Sequence, residues 1–226
     1  MRHFRLSVLL ITILLAFAGS AFADTVNMTF LGPAGNNSGG VYTYPYEFSV
    51  NGGAPVALIC DAFDNEVVSG ETWQATVTSL ISGSQAGGGG LFAGQTLNYK
   101  AAGLIFQGIV NGTIDANVGN WAIWGLFSAD AASNAYYQST GAGALAGLYQ
   151  WMAVFTPDSA LANLVLYTPV AGTQSWSGSI PQEYIGLVSV PEPAEIALML
   201  MMAIGGMLGF AFRQRLGLKL AIAQQA

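Results

Sequence analysis

Between Asp24 and Val190 the sequence has no histidine, no arginine, one lysine (Lys100) and one cysteine (Cys60). Each scarcity removes a class of chemistry. Without histidine there is no Ser-His-Asp triad, no Cys-His pair and no histidine-bound zinc. The chain's single histidine, His3, sits near the start. One cysteine rules out an internal disulfide. Against Lys100 stand ten acids: Asp24, Glu47, Asp61, Asp64, Glu66, Glu71, Asp115, Asp130, Asp158 and Glu183. Their net charge, near −9, leaves no basic footprint for phosphates and excludes nucleic acid as a partner.

Hydrophobicity is concentrated at the two ends. "MRHFR" is a basic opening, Leu6 to Ala18 is an apolar run, and Ala21-Phe22-Ala23 has the small-x-small pattern of a signal-peptidase site. Residues 1–23 are therefore expected to be a secretory signal, with cleavage between Ala23 and Asp24. Near the other end, Ile196 to Phe212 is apolar and uncharged, enough as a helix to cover most of a ~30 Å hydrocarbon core. Arg213, Arg215 and Lys219 follow, which places a tail at 216–226 in the cytoplasm by the positive-inside rule. Residues 24–190 become one exported domain, large enough to bury about 70% of its unfolded surface.

The order Val190-Pro191-Glu192-Pro193, apolar run, Arg213 and Arg215 resembles the PEP-CTERM sorting signal of envelope-forming bacteria. The resemblance implies recognition by exosortase, a membrane transpeptidase, over residues 191–215. It also implies membrane anchorage before processing and a cell-surface or extracellular-matrix location afterwards. Two prolines bias the backbone to an extended form, presenting Glu192 just before the apolar run. The segment "LGLKLAIAQQA" after the arginines departs from that pattern.

In the exported region, Thr25 to Phe30, Val41 to Ile59 and "TWQATVTSLI" read as strands, broken by "GPAGNNSGG" and "NGGAP". "SGSQAGGGG" reads as a flexible loop. From Leu97 the period changes to helical, with Leu97, Ala101, Leu104, Ile105 and Ile109 on one stripe. "NVGNWAIWGLFSAD" is a second helix that buries Trp121, Ile123, Trp124 and Phe127, and one broken or two short helices precede Pro157. "LANLVLYTP" and "PQEYIGLVSV" return to extended structure. The expected class is α+β: a strand-rich N-terminal part, a helical insert, a return to strands, and one C-terminal transmembrane helix.

The densest polar stretch is "ICDAFDNEVVSGETW", Ile59 to Trp73. Together with "YKAAGLIFQ" and "GNWAIWGLF" it resembles the thioester domains of bacterial surface adhesins. In that family a cysteine joins the side-chain carbonyl carbon of a glutamine just before an x-A-I-W element, and ammonia leaves. Cys60 matches the cysteine, and Ala122, Ile123 and Trp124 match A-I-W. Asn120 holds the glutamine's place, one methylene short. An alternative amide at Gln107 or Gln150, or a Cys60 that is simply a small buried apolar group, stays open.

The implied role is structural or adhesive rather than enzymatic, with exopolysaccharide or surface proteins as partners. Two other classes remain. Asp61, Asp64 and Glu66 are candidate oxygen ligands for calcium; no other metal or cofactor is indicated. A pair of carboxylates is also the minimum equipment of a glycoside hydrolase. Trp121, Trp124 and Trp151 sit among apolar neighbours and are expected in the core, whereas Trp176, in a polar stretch, is the better candidate for stacking on sugars.

Overall fold

The computed structural model describes residues 24–82, 85–86, 89–176 and 178–188. The expected signal peptide, sorting motif and transmembrane run lie outside them. The chain divides into two compact units, Met1–Leu187 and Val188–Ala226, and the first carries the elements below.

Among the described residues ten strands form in chain order: β1 (Asp24–Pro33), β2 (Asn37–Ser38), β3 (Val41–Tyr42), β4 (Tyr46–Val50), β5 (Pro55–Cys60), β6 (Thr72–Ser79), β7 (Ile81–Ser82), β8 (Gln85–Ala86), β9 (Leu164–Pro169) and β10 (Tyr184–Leu187). Six of them close into an antiparallel barrel, β1-β4-β5-β10-β9-β6, with β6 returning to β1. Closure leaves these strands without a free edge. β1 is long enough to pair with β4 through Met28–Pro33 and with β6 through Asp24–Thr29, and a register shift between Phe30 and Gly32 bends it. β2 and β3 form a small hairpin, as do β7 and β8. The second hairpin falls within the stretch expected to be an unstructured loop.

Alternation decides what the barrel holds. Met28 and Phe30, Tyr46 and Phe48, Leu58 and Cys60, Trp73 and Ala75 are buried in period two on their strands. Phe48 is the hub, with ring centroids 5.1 Å from Phe30, 5.7 Å from Trp73 and 4.5 Å from Tyr184. Such tilted and edge contacts are the favoured aromatic geometry.

The helical insert runs between β8 and β9: α1 (Thr96–Val110), α2 (Ala116–Phe127), α3 (Ala129–Ser133), α4 (Ala135–Ser139) and α5 (Ala142–Phe155). Short polar side chains start α2, α3 and α4. Asp115 Oδ1 accepts from the N–H groups of Asn117 and Val118 at 2.9 and 3.0 Å, Ser128 Oγ from Ala131 N–H at 3.1 Å, and Asn134 Oδ1 from Tyr136 N–H at 2.9 Å. α1, α2 and α5 pack on one another, and α2 also meets β5.

Two sequence expectations are corrected here. Leu97 is exposed, and the buried side of α1 is formed by Tyr99, Ala101, Ala102, Ile105, Phe106 and Ile109. Tyr99 is on the inner side, where its hydroxyl bonds to Glu183. Trp151 stands 63% exposed on α5 instead of in the core. Among the described residues no helix is long and apolar enough to cross a membrane.

Candidate functional site

The end of β5 brings together most of the residues that the sequence singles out. Cys60 is fully buried, and its thiol lies 3.6 Å from the carbonyl oxygen of Ala62. Burial pushes the thiol pKa well up, the Asp61 charge adds to this, and the neighbouring Trp124 indole partly offsets it. A thiol held this way is protonated and a poor nucleophile.

Asn120, on the buried side of α2, reaches across to the same strand end. Its Nδ2 donates to the main-chain carbonyl of Cys60 at 3.0 Å, and its Oδ1 accepts from Tyr44 N–H at 2.8 Å. Asn120 thus meets the main chain of Cys60, and its amide is engaged on both sides as a brace. The other two glutamines considered are tied elsewhere. Gln107 donates to Ala160 O and Asn163 Oδ1 at 2.8 and 3.1 Å, and Gln150 to Asn98 Oδ1 at 2.7 Å.

Asp61 turns into the interior with no hydrogen-bond donor on either carboxylate oxygen among the described residues. Its neighbour is Glu183, the residue just before β10, whose carbonyl receives Asp61 N–H at 3.3 Å. Glu183 is well supplied. Oε1 accepts from Tyr99 at 2.6 Å, and Oε2 from Leu91 N–H at 2.8 Å and Thr168 at 2.5 Å. Burial raises the pKa of Asp61, and the charge of Glu183 raises it further. Burial also raises Glu183, opposed by the bonds it accepts from Thr168, Tyr99 and Leu91. Two buried carboxyls close together, one of them without a donor, disfavour a second negative charge, so Asp61 is held toward its neutral form.

Asp64 and Glu66 point elsewhere. Both are exposed, and Asp64 Oδ1 accepts from Ser128 at 2.8 Å. Asp61, Asp64 and Glu66 therefore do not converge, and among the described residues no group of three metal-ligating side chains is assembled. Instead Asp64 and Glu66 line an open cleft of about 670 Å³. The β2–β3 hairpin forms one wall and the loop from Phe63 to Ser69 the other, and Asp130 stands at the rim. Aromatic surface comes from Tyr42, Tyr46 and Phe63, with Trp124 lining the cleft as well, and amides from Asn37, Asn65 and Gln182. Tyr46 hydroxyl donates to the carbonyl of Tyr42, and Asn65 donates to Pro181 O at 3.2 Å, so both walls are held from behind. Among the described residues no Lys, Arg or His joins the lining. Its field favours neutral or cationic ligands and repels anions.

Sequence reasoning missed Tyr42, Asp130, Gln182 and Glu183. For Glu183 a signal existed: a carboxylate in "PQEYIGLV", otherwise an apolar strand approach. Trp176 is half-buried and lies outside the cleft lining. No protein-family model, curated protein or solved structure matches the chain.

Proposed function

We propose that the chain is an exported, envelope-associated adhesive protein that holds a neutral, hydroxyl-rich polymer in the cleft between the β2–β3 hairpin and the Phe63–Ser69 loop. The cleft's composition carries the reading. Exposed Tyr42 and half-buried Phe63 supply flat apolar faces for the C–H side of a sugar ring. Asp64, Glu66 and Asp130 accept from hydroxyl groups, and Asn37 and Asn65 both donate and accept. A few placed polar groups around an apolar concavity is the usual construction of a ligand site.

Delivery belongs to the ends of the chain. In this reading signal peptidase removes residues 1–23, exosortase reads Val190 to Pro193, and Ile196–Phe212 holds the protein in the membrane until it is sorted. The buried thiol and the doubly engaged Asn120 support an adhesive role without a thioester, so retention on the matrix is non-covalent.

Co-sedimentation of the protein with insoluble envelope polysaccharide tests the proposal. Binding is expected to weaken about tenfold in Tyr42→Ala and again in Asp130→Asn, each such contact being worth on the order of 1–1.5 kcal/mol. Both residues are exposed, so the fold survives. Wild-type protein left entirely in the supernatant, or variants binding as well as wild type, defeats the reading.

A further inference from the structure

Helix α5 keeps much of its apolar bulk outside. Its fully buried residues are small, Ala142, Ala146 and Ala153, with Leu145 and Tyr149 partly buried beside them. Four other large residues face away: Leu148, Trp151, Met152 and Phe155 are 52%, 63%, 37% and 71% exposed. Their spacing of three, four and seven places them on one face of the helix. The Trp151 and Phe155 rings meet edge to face at 5.3 Å, which makes that face a continuous ridge. A surface helix ordinarily does the opposite, with its apolar stripe inward.

Three observations bear on what covers the ridge. First, α5 carries no charged residue in a domain that is otherwise strongly acidic. Second, the ridge is small. Four partly exposed side chains on one helix offer on the order of half the ~800 Å² that each partner of a stable dimer buries. Third, the chain leaves the barrel from β10, whose partner β9 is the strand that follows α5. Leu187 pairs with Leu164, nine residues after Phe155, and Lys100 donates to Thr156 O at 2.8 Å, clamping the end of α5 to α1. Leu187 and Val188 are themselves exposed apolar residues, and the uncharged run Ile196–Phe212 begins eight residues after Val188.

From these we infer that the α5 ridge docks on the lipid surface, with Trp151 and Phe155 at the boundary between headgroups and acyl chains. Tryptophan suits that boundary because its ring is apolar and its N–H is polar. A bilayer, unlike a protein partner, asks for no matched shape. The chain holds the ridge at high effective concentration near the membrane, so a contact too weak to bind a free domain suffices. The inference rests on the reading of Ile196–Phe212 as a membrane segment.

Trp151 reports the contact directly. The full chain is reconstituted into vesicles of phosphatidylethanolamine and phosphatidylglycerol whose acyl chains are brominated near the glycerol end. Its emission is compared with that of Trp151→Phe, because Trp73, Trp121 and Trp124 are buried. The expected result is bromine quenching of wild type that is lost in Trp151→Phe. It is also lost in a Leu148→Glu/Phe155→Glu double variant that stays resistant to carbonate extraction. If carbonate leaves the chain in the vesicles while aqueous iodide, and not bromine, quenches Trp151, docking is wrong and the membrane anchor stands. Release of the whole chain by carbonate overturns both. A blue shift that grows with protein density and ignores bromine assigns the ridge to a second copy and overturns the lipid contact.

Discussion

The side-chain amide of Asn120 donates to the main-chain carbonyl of Cys60 at 3.0 Å, while its carbonyl accepts from Tyr44 N–H at 2.8 Å. One buried amide thus joins helix α2, strand β5 and the segment entering β4. Asn120→Ala leaves a donor and an acceptor without partners in the interior, at about 1–3 kcal/mol for each such group. A total loss of about 3 kcal/mol is expected by denaturant titration. Asn120→Asp has the same shape but no donor for the Cys60 carbonyl, and it is expected to destabilise at least as much at neutral pH.

Because that amide is occupied and the Cys60 thiol is both buried and held in its protonated form, the folded protein is expected to keep a free thiol. Intact mass should equal the sum of the residues after any processing, without the deficit of one ammonia that a thioester leaves. A maleimide should label Cys60 only in denaturant. Rapid labelling of the native protein, or a mass low by one ammonia that Cys60→Ala restores, sinks this expectation.

The strand-rich start, the helical middle and the return to strands were legible because residue period reports local geometry. Barrel closure was not. Period two marks β1 as extended, yet its two neighbours, β4 and β6, are chosen by packing at distances no local pattern encodes. The motif paired the side chains of Cys60 and Asn120, whereas the amide meets the Cys60 backbone carbonyl, a contact no residue pattern announces. The carboxyl pair was not legible either, since Asp61 and Glu183 lie 122 positions apart and meet only when β5 pairs with β10. Trp151 failed for a different reason. Size and hydrophobicity placed it inside, but Ala142, Ala146 and Ala153, with Leu145 and Tyr149 beside them, occupy the inner face of α5, and position 151 falls on the outer one.

Close packing also sets the outcome at Gly103, on the buried side of α1. A methyl group there meets Leu80 Cδ2 at 2.6 Å, Leu164 Cδ1 at 2.9 Å and Leu161 Cδ2 at 3.2 Å, all on fully buried leucines. Alanine in mid-helix gains about 1 kcal/mol over glycine, whereas overpacking a filled core costs about 1–3 kcal/mol. Strain is expected to win, so Gly103→Ala should melt at a lower temperature than wild type. A variant that melts higher shows that the three leucines can yield at little cost.

The Asp61–Glu183 pair makes stability fall as pH rises. Free in an unfolded chain these groups titrate near about 3.9 and about 4.3, and burial raises both in the fold. Between the unfolded and folded values the native state binds more protons than the unfolded state, so raising the pH favours unfolding. The stability is fully present below about pH 4 and is lost as pH climbs through the folded values. Tyr99, Tyr184 and Cys60 face the pair, Tyr46 lies next to Cys60, and burial raises all of them too, so they begin to add to the loss only at alkaline pH. Repulsion among the exposed acids runs in the same direction, which makes the wild-type slope alone ambiguous. Asp61→Asn separates the two effects: it removes the buried titrating carboxyl and leaves the surface unchanged. The variant should match wild type near pH 4, melt higher at pH 8, and show a flatter curve between them. Parallel curves for the two proteins would mean that ionisation of the buried Asp61 does not set the slope.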